Sequence, residues 1–266
     1  MTELLKIENL SCGYQRKEIV HSAGFAVESG EFCALLGLNG CGKTTLIKAI
    51  CGFLPIHTGN CTAGGDDCTA MNERQRALRM AYIPQRGSLI TGKTVLEVVL
   101  MGFNARLHLL DSPGKFHRQK ALEALAQLGM AHLAERDYDQ LSEGQKQMVI
   151  LARTLVQDTP VLLMDEPDSA LDFVNRNVVL RKIRYIIHTQ KKAGLITLHD
   201  PNFALSYCDT LLLMKEGYII QRLPLASASR ENVEQALKKI YGNIRILSHE
   251  GGFVMVRGME EPYENL

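Results

Sequence analysis

The chain has 266 residues, 46% of them hydrophobic and 22% charged, and its 30 Lys and Arg against 29 Asp and Glu leave a formal net charge of +1. That length suffices for one large α/β domain or a domain with a small appendage, and the even balance excludes a global field steering the chain toward nucleic acid or an anionic membrane. Seven Cys without a Cys-x-x-Cys pair suit reduced thiols, and there is neither a signal-type N-terminus nor an apolar run of spanning length, so a protein neither secreted nor integral is expected.

In chain order, residues 4–10 predict a strand, 19–27 a second with irregular pattern, and 31–36 a short apolar strand suited to a buried parallel position. That third strand feeds Gly37-Leu-Asn-Gly-Cys-Gly-Lys-Thr44, which fits a phosphate-cradling P-loop at every required position. Gly37, Gly40 and Gly42 let the backbone turn its N–H groups inward, and the helix expected from Thr45 to Ile50 presents its positive N-terminal end. Lys43 is placed to reach the β and γ phosphates of a nucleoside triphosphate, Thr44 to bind Mg²⁺, and Asn39, Cys41 and Thr45 complete the stretch. Cys41 has two readings. It is a small residue in a serine-sized slot, or a thiol whose pKa the helix N-terminus lowers, so that alkylation blocks nucleotide binding and ATP protects.

Next come a short helix at 72–79, a strand at 80–84, and a region of helical periodicity from Thr94 to about Gln157. Its pieces are 95–102, a polar loop through Asp111-Ser-Pro-Gly114, 115–128, and a helix N-capped by Ser142 with Glu143 in its first turn. The sheet resumes at 161–165, an apolar run ending in acid, and again at 195–198 and 210–214, with an amphipathic helix at 172–189 between them. After residue 223 the tail reads as a helix at 229–241 and a hairpin of 244–247 with 253–257 around Glu250-Gly-Gly252; residues 259–266 are expected to fray.

Asp165 ends a buried strand where a carboxylate can hold Mg²⁺, and Glu166 beside it can polarise an attacking water. Taken alone, such a pair also suits a solvated turn, Gln85 a surface residue, His199 a satisfied structural histidine and Tyr14 a core aromatic. The order of motifs decides between these readings. Leu141-Ser-Glu-Gly-Gln145 resembles the signature motif of ATP-binding cassette ATPases, whose common form is Leu-Ser-Gly-Gly-Gln, and the resemblance extends over nearly the whole chain. Tyr14 matches the A-loop aromatic that stacks on adenine, Gln85 in Tyr82-Ile-Pro-Gln85 the Q-loop, and Val161 to Glu166 the Walker B segment. Ser169-Ala-Leu-Asp172 matches the D-loop, and His199 in Leu198-His-Asp200 the switch histidine.

The resemblance implies an α/β P-loop NTPase core, a mixed sheet with flanking helices, carrying an antiparallel β subdomain and an α-helical subdomain inserted between Q-loop and signature. The domains implied are an ATPase domain at 1–225, with the helical subdomain at about 86–157, and a helix-plus-hairpin extension at 226–266. It also implies ATP and Mg²⁺ as cofactors. Glu166, His199 and Gln85 would be catalytic, and Thr44, Gln85 and Asp165 would attend the metal. The P-loop, Tyr14, Ser142, Gly144, Gln145 and Asp172 would contact nucleotide. The signature would complete the site of a second subunit, so a homodimer is expected.

Two positions depart from the family pattern: Glu143 stands where glycine is usual, near where the partner's γ-phosphate would dock, and Asp168 where Thr is frequent. Val95 to Gly102, His199-Asp-Pro-Asn202 and Ile240-Tyr-Gly242 look like the ATPase subunits of importers for iron-siderophore, haem, cobalamin and related metal chelates. That likeness implies separate membrane permeases met at the helical insertion and around residues 85–94, an external substrate-binding protein engaged indirectly, no nucleic-acid partner, and a peripheral place on the cytoplasmic membrane face. A repair or chromosome-structure ATPase would need a long heptad insertion that the chain lacks, and a translation-factor type would usually carry two cassettes. A soluble ATPase of iron-sulfur cluster assembly stays open as the alternative.

Overall fold

The computed structural model describes residues 2–15, 17–85, 90–108 and 111–258. Its elements are β1 (Glu3–Tyr14), β2 (Lys17–Glu28), β3 (Phe32–Leu36), α1 (Lys43–Ile50), β4 (Ile56–Ala63), β5 (Asp66–Asp67), α2 (Glu73–Ala77) and β6 (Met80–Ile83). Then follow α3 (Val95–Leu100), α4 (Lys115–Gln127), α5 (Glu143–Gln157), β7 (Val161–Asp165), α6 (Phe173–Thr189) and β8 (Ala193–Thr197). The chain closes with α7 (Pro201–Tyr207), β9 (Thr210–Lys215), β10 (Tyr218–Pro224), α8 (Arg230–Tyr241), β11 (Ile244–His249) and β12 (Gly252–Arg257).

The strands form three sheets: an antiparallel sheet in the order β2-β1-β4-β5, a larger one in the order β10-β9-β3-β8-β7-β6, and the hairpin β11-β12. In the larger sheet β6, β7, β8, β3 and β9 run parallel, and only the edge strand β10 is antiparallel. Its parallel strands are buried on both faces, which is why they read as unbroken apolar runs. Their alternate residues divide the core in two. Phe32, Ala34 and Leu36 of β3, with Leu162, Met164, Ile196, Leu211 and Leu213, face a layer built by α3, α4, α5, α6, α7 and α8. Cys33 and Leu35, with Val161, Leu163, Leu195, Leu212 and Met214, face α1 and the antiparallel sheet. Helix α1 is thereby sandwiched between two sheets, with Leu46, Ile47 and Ile50 fully or almost fully buried.

Among the described residues, six helices begin on a side-chain cap, at Asn72, Thr94, Ser142, Asp172, Asp200 and Ser229. Three of these carry a reciprocal capping box, Asn72 with Gln75, Thr94 with Glu97 and Ser142 with Gln145. The predicted hairpin is present and turns through Glu250 and Gly251 between His249 and Gly252. Residues 259–266, expected to fray, lie outside the described residues.

The sequence pattern did not point to four elements. β4 and β5 contain Gly59, Asn60 and paired aspartates; β4 exists because β1 offers a partner edge through Leu5↔Ala63 and Ile7↔Cys61, and β5 because β4 offers the next through Ala63↔Asp66. β10 buries only Leu223 along its length, and α7 has seven residues, too few for a periodic signal. Among the described residues no helix is long and apolar enough to cross a membrane.

Candidate nucleotide site

Because β6, β7, β8 and β3 are adjacent and parallel, their carboxyl ends lie along one sheet edge, where ligand sites of such sheets form. From that edge emerge Gln85 after β6, Asp165 and Glu166 from β7, His199 after β8 and the loop Gly37 to Thr44 after β3. The loop is held tightly from behind. A Cβ at Gly37 would stand 2.4 Å from the Met214 carbonyl oxygen and 2.6 Å from Cys41 Sγ, so only glycine fits there. Gly42 caps α1 at φ 110°, a backbone region that costs side-chain-bearing residues dearly. The Gly217 N–H donates to the Cys41 carbonyl at 3.0 Å, fastening the β9–β10 turn to the loop. Lys43, buried at 6% exposure, donates from Nζ to the carbonyls of Gly37 at 2.8 Å and Leu38 at 3.1 Å. The ammonium is thus fixed under the loop rather than free in solvent.

Asp165 and Glu166 are buried at 2% and 6% exposure. The Thr44 hydroxyl donates to Asp165 Oδ1 at 3.1 Å, bringing the first residues of α1 to the end of β7. Glu166 adopts φ 48°, uncommon for a residue with a side chain and a form of local strain met at functional sites. Its carboxylate Oε2 accepts a bond from Gln85 Nε2 and lies 2.6 Å from His199 Nε2. One carboxylate oxygen therefore gathers the Gln85 and His199 side chains.

A residue absent from the sequence reading ties this cluster together. Thr197, fully buried at the end of β8, donates its hydroxyl to Asp165 Oδ1 at 2.9 Å and accepts the Glu166 N–H at 2.9 Å. No motif marked it, because a threonine in a buried strand reads as a β-former; only the Asp165↔Thr197 register reveals the bridge. Thr197→Val, which keeps the shape but leaves a buried N–H unpaired, is expected to lower stability by about 2 kcal/mol, and Thr197→Ser to restore most of it. Urea unfolding of the three proteins checks this, and equal midpoints would refute the bridge.

Among the described residues no group of three or more His, Cys, Asp or Glu side chains could hold a metal ion on its own. The available donors near Asp165 are hard oxygens, a hydroxyl and one carboxylate. This set suits a small cation that takes its remaining ligands from phosphate and water, as Mg²⁺ does. Gln85 turns to Glu166 rather than to the Thr44–Asp165 pair.

The other expected contacts lie elsewhere. Tyr14 ends β1 at 48% exposure. Among the described residues no hydrogen bond or ion pair joins Ser142, Gly144, Gln145 or Asp172 to the P-loop, Asp165, Glu166 or His199. Ser142 and Gln145 satisfy each other across the start of α5 at 3.0 and 3.3 Å. Gly144 sits against Asn175 of α6, where a Cβ would come within 3.0 Å of its Cγ. Asp172 caps α6 by accepting from the Asn175 N–H and Nδ2 at 2.8 Å each, and these bonds hold its carboxyl below the usual range.

The two departures from the family pattern acquire partners. The Glu143 carboxylate pairs with Lys146 at 2.9 Å, one turn along α5, which offsets its charge at the helix start. Asp168 is buried at 2% exposure and lies 3.1 Å from Arg176 Nε, out of line for a hydrogen bond. Arg176 in turn covers the Phe203 ring at 5.0 Å. Burial pushes the Asp168 carboxyl up, and the Arg176 guanidinium pulls it back. Of the two readings of Cys41, the small-residue one is favoured: burial pushes the thiol pKa up and outweighs the lowering effect of Lys43.

Residues 20–169 match the family model described as ABC transporter. The chain is 37% identical to an uncharacterized ABC transporter ATP-binding protein of Haemophilus influenzae, over 82% of this chain and 83% of that one. It is 35% identical to a Helicobacter pylori ATP-binding protein named for iron chelatin transport, over 85% of this chain and 90% of that one. A solved transporter described as metal-chelate type, in an inward-facing conformation, superposes with a TM-score of 0.80 at 26% identity, covering 97% of this chain and 98% of that one. Family match, relatives and fold agree with the motif order, and the chain belongs to the ABC transporter family as an ATP-binding cassette ATPase.

Proposed function

We infer that this ATPase is the energising subunit of an importer for a metal chelate, of the iron-siderophore, haem or cobalamin kind, moved through a separate membrane permease. The observation that carries the ATPase chemistry is the convergence of Lys43, Thr44, Asp165, Glu166, Gln85 and His199 on one sheet edge. The cargo class rests on relatives named for iron chelatin and hemin, and on the metal-chelate type structural neighbour. Others named for zinc, manganese and molybdate keep the exact cargo a matter for experiment. The alternative in iron-sulfur cluster assembly is not favoured, since the relatives compared carry transport names.

In this reading the P-loop amides of residues 37–45 and Lys43 hold the β and γ phosphates, while Tyr14 stacks on adenine. Thr44 and Asp165, with Gln85 nearby, would hold Mg²⁺, which when bound would supply positive charge against those phosphates. Glu166 accepts the proton of the water that attacks the γ phosphorus, and His199 holds Glu166 and the γ-phosphate in register. Ser142, Gly144, Gln145 and Asp172 of one copy complete the site of a second, so ATP joins two copies and hydrolysis parts them. The dimer sits on the cytoplasmic membrane face against permease subunits, which an external binding protein loads. The permease contact expected around residues 85–94 falls partly on 86–89, outside the described residues. Affinity purification from membranes of the source cell tests the reading. Co-purification of a polytopic permease is expected, and recovery of soluble scaffold proteins alone would overturn import.

A further inference from the structure

The C-terminal hairpin is fastened to the segment that carries the switch histidine. Asn202, in the first turn of α7, accepts the Met255 N–H on Oδ1 at 2.7 Å and donates Nδ2 to the Met255 carbonyl at 3.2 Å. These are the two groups that a neighbouring strand would engage, so the asparagine amide takes the place of a third strand beside β12. Each side gains from the contact. An isolated two-stranded hairpin is marginal in water, and a helix of seven residues cannot sustain itself without tertiary support.

The rest of the extension is anchored close to the same place. Glu234 of α8 accepts the Ile246 N–H of β11 at 2.9 Å, and Val233, Leu237, Ile244 and Ile246 are buried in the helical-side core. Ile240 lines a cleft with Leu38, Asn39, Gly40 and Cys41 of the P-loop. The extension thus shares a cleft with the phosphate loop and is hydrogen-bonded to the switch segment.

His199 itself is weakly held. Its side chain is 48% exposed, and among the described residues the polar contact that orients its ring is the one to Glu166 at 2.6 Å. Its backbone leaves β8 and enters α7 within a few residues. There the Asp200 side chain accepts the Asn202 N–H at 2.9 Å, and Asn202 spends its own side chain on Met255.

We propose that Asn202 is a positioning residue: by pinning α7 to the C-terminal hairpin it fixes the exit of the chain after His199 and so keeps the imidazole on Glu166. The extension is then part of the hydrolytic device, acting through the switch histidine and not through nucleotide affinity. This rests on the assignment of His199 to hydrolysis given above.

The test compares wild type, Asn202→Ala, His199→Ala and the double variant, all as full chains, in Mg-ATP hydrolysis and in amide hydrogen exchange. Asn202→Ala should lower kcat about tenfold, short of the roughly hundredfold that a full 1 Å misplacement can cost, with KM for ATP changed less than about twofold. The Met255 amide should exchange faster. In the His199→Ala background the same change should cost nothing further, a result that general destabilisation would not produce. If Asn202→Ala fails to fold, Asn202→Asp, which keeps the acceptor for the Met255 N–H and loses the donor, should show a smaller loss of the same kind. Faster exchange at Met255 with unchanged kcat, or an equal fractional loss with and without His199, would overturn the proposal. A wild-type chain without Mg-ATP turnover would instead count against the functional reading.

Discussion

Glu166→Gln is expected to cut ATP turnover by about a thousandfold while leaving nucleotide binding intact, and to trap the Mg-ATP-bound protein as a dimer. The geometry explains why this exchange is so selective. The carboxylate is held by its surroundings rather than by its own charge: the Glu166 N–H is bound by Thr197, and its Oε2 receives Gln85 and faces His199. An amide oxygen in the same place can still accept from both neighbours, so the cluster and the strained turn at φ 48° persist. What disappears is the capacity to take a proton from the attacking water. Removing the carboxylate altogether, as in Glu166→Ala, would leave Gln85 and His199 without their shared acceptor and mix two effects. Size-exclusion chromatography with saturating Mg-ATP separates the outcomes. A Glu166→Gln protein that stays monomeric there, or that hydrolyses at the wild-type rate, would refute the role given to this residue.

The same cluster shows what the sequence could and could not convey. Positions whose chemistry depends on backbone shape announced themselves: Gly37 and Gly42, where a side chain has no room or no favourable φ, and the cap Ser142. The parallel strands were legible because burial on both faces leaves unbroken apolar runs at Phe32–Leu36 and Val161–Asp165. What stayed hidden was whatever depends on a distant partner. Thr197 looks like any buried strand threonine until β8 is set beside β7, and Asn202 is only the end of the His199-Asp-Pro-Asn202 stretch until β12 arrives from 53 residues away. β4 and β10 owe their strand state to β1 and β9 rather than to their own pattern. The choice between the two readings of Cys41 has the same origin, since a motif conveys the helix N-terminus beside the thiol but not the burial that outweighs it.

Lys43→Met is expected to weaken ATP binding by about a hundredfold, close to 3 kcal/mol at the order expected for a charge-assisted contact in a buried site. The substitution keeps the length of the side chain and removes only the ammonium, so packing beneath the loop survives. An ammonium has three donors; in this structure the Gly37 and Leu38 carbonyls take two, which aims the group and leaves one for phosphate. Because those carbonyls belong to the loop itself, Lys43 also screens them from the phosphates they would otherwise repel. Methionine loses the attraction and exposes the repulsion together, so the loss should exceed that of an exposed ion pair, typically at most about 1 kcal/mol. It should also depend little on salt, since a buried contact is poorly screened. Fluorescent ATP-analogue titration at low and high ionic strength measures both features. A small loss that vanishes with added salt would mean that Lys43 acts only as a surface charge, and the buried cradle assigned to it would have to be abandoned.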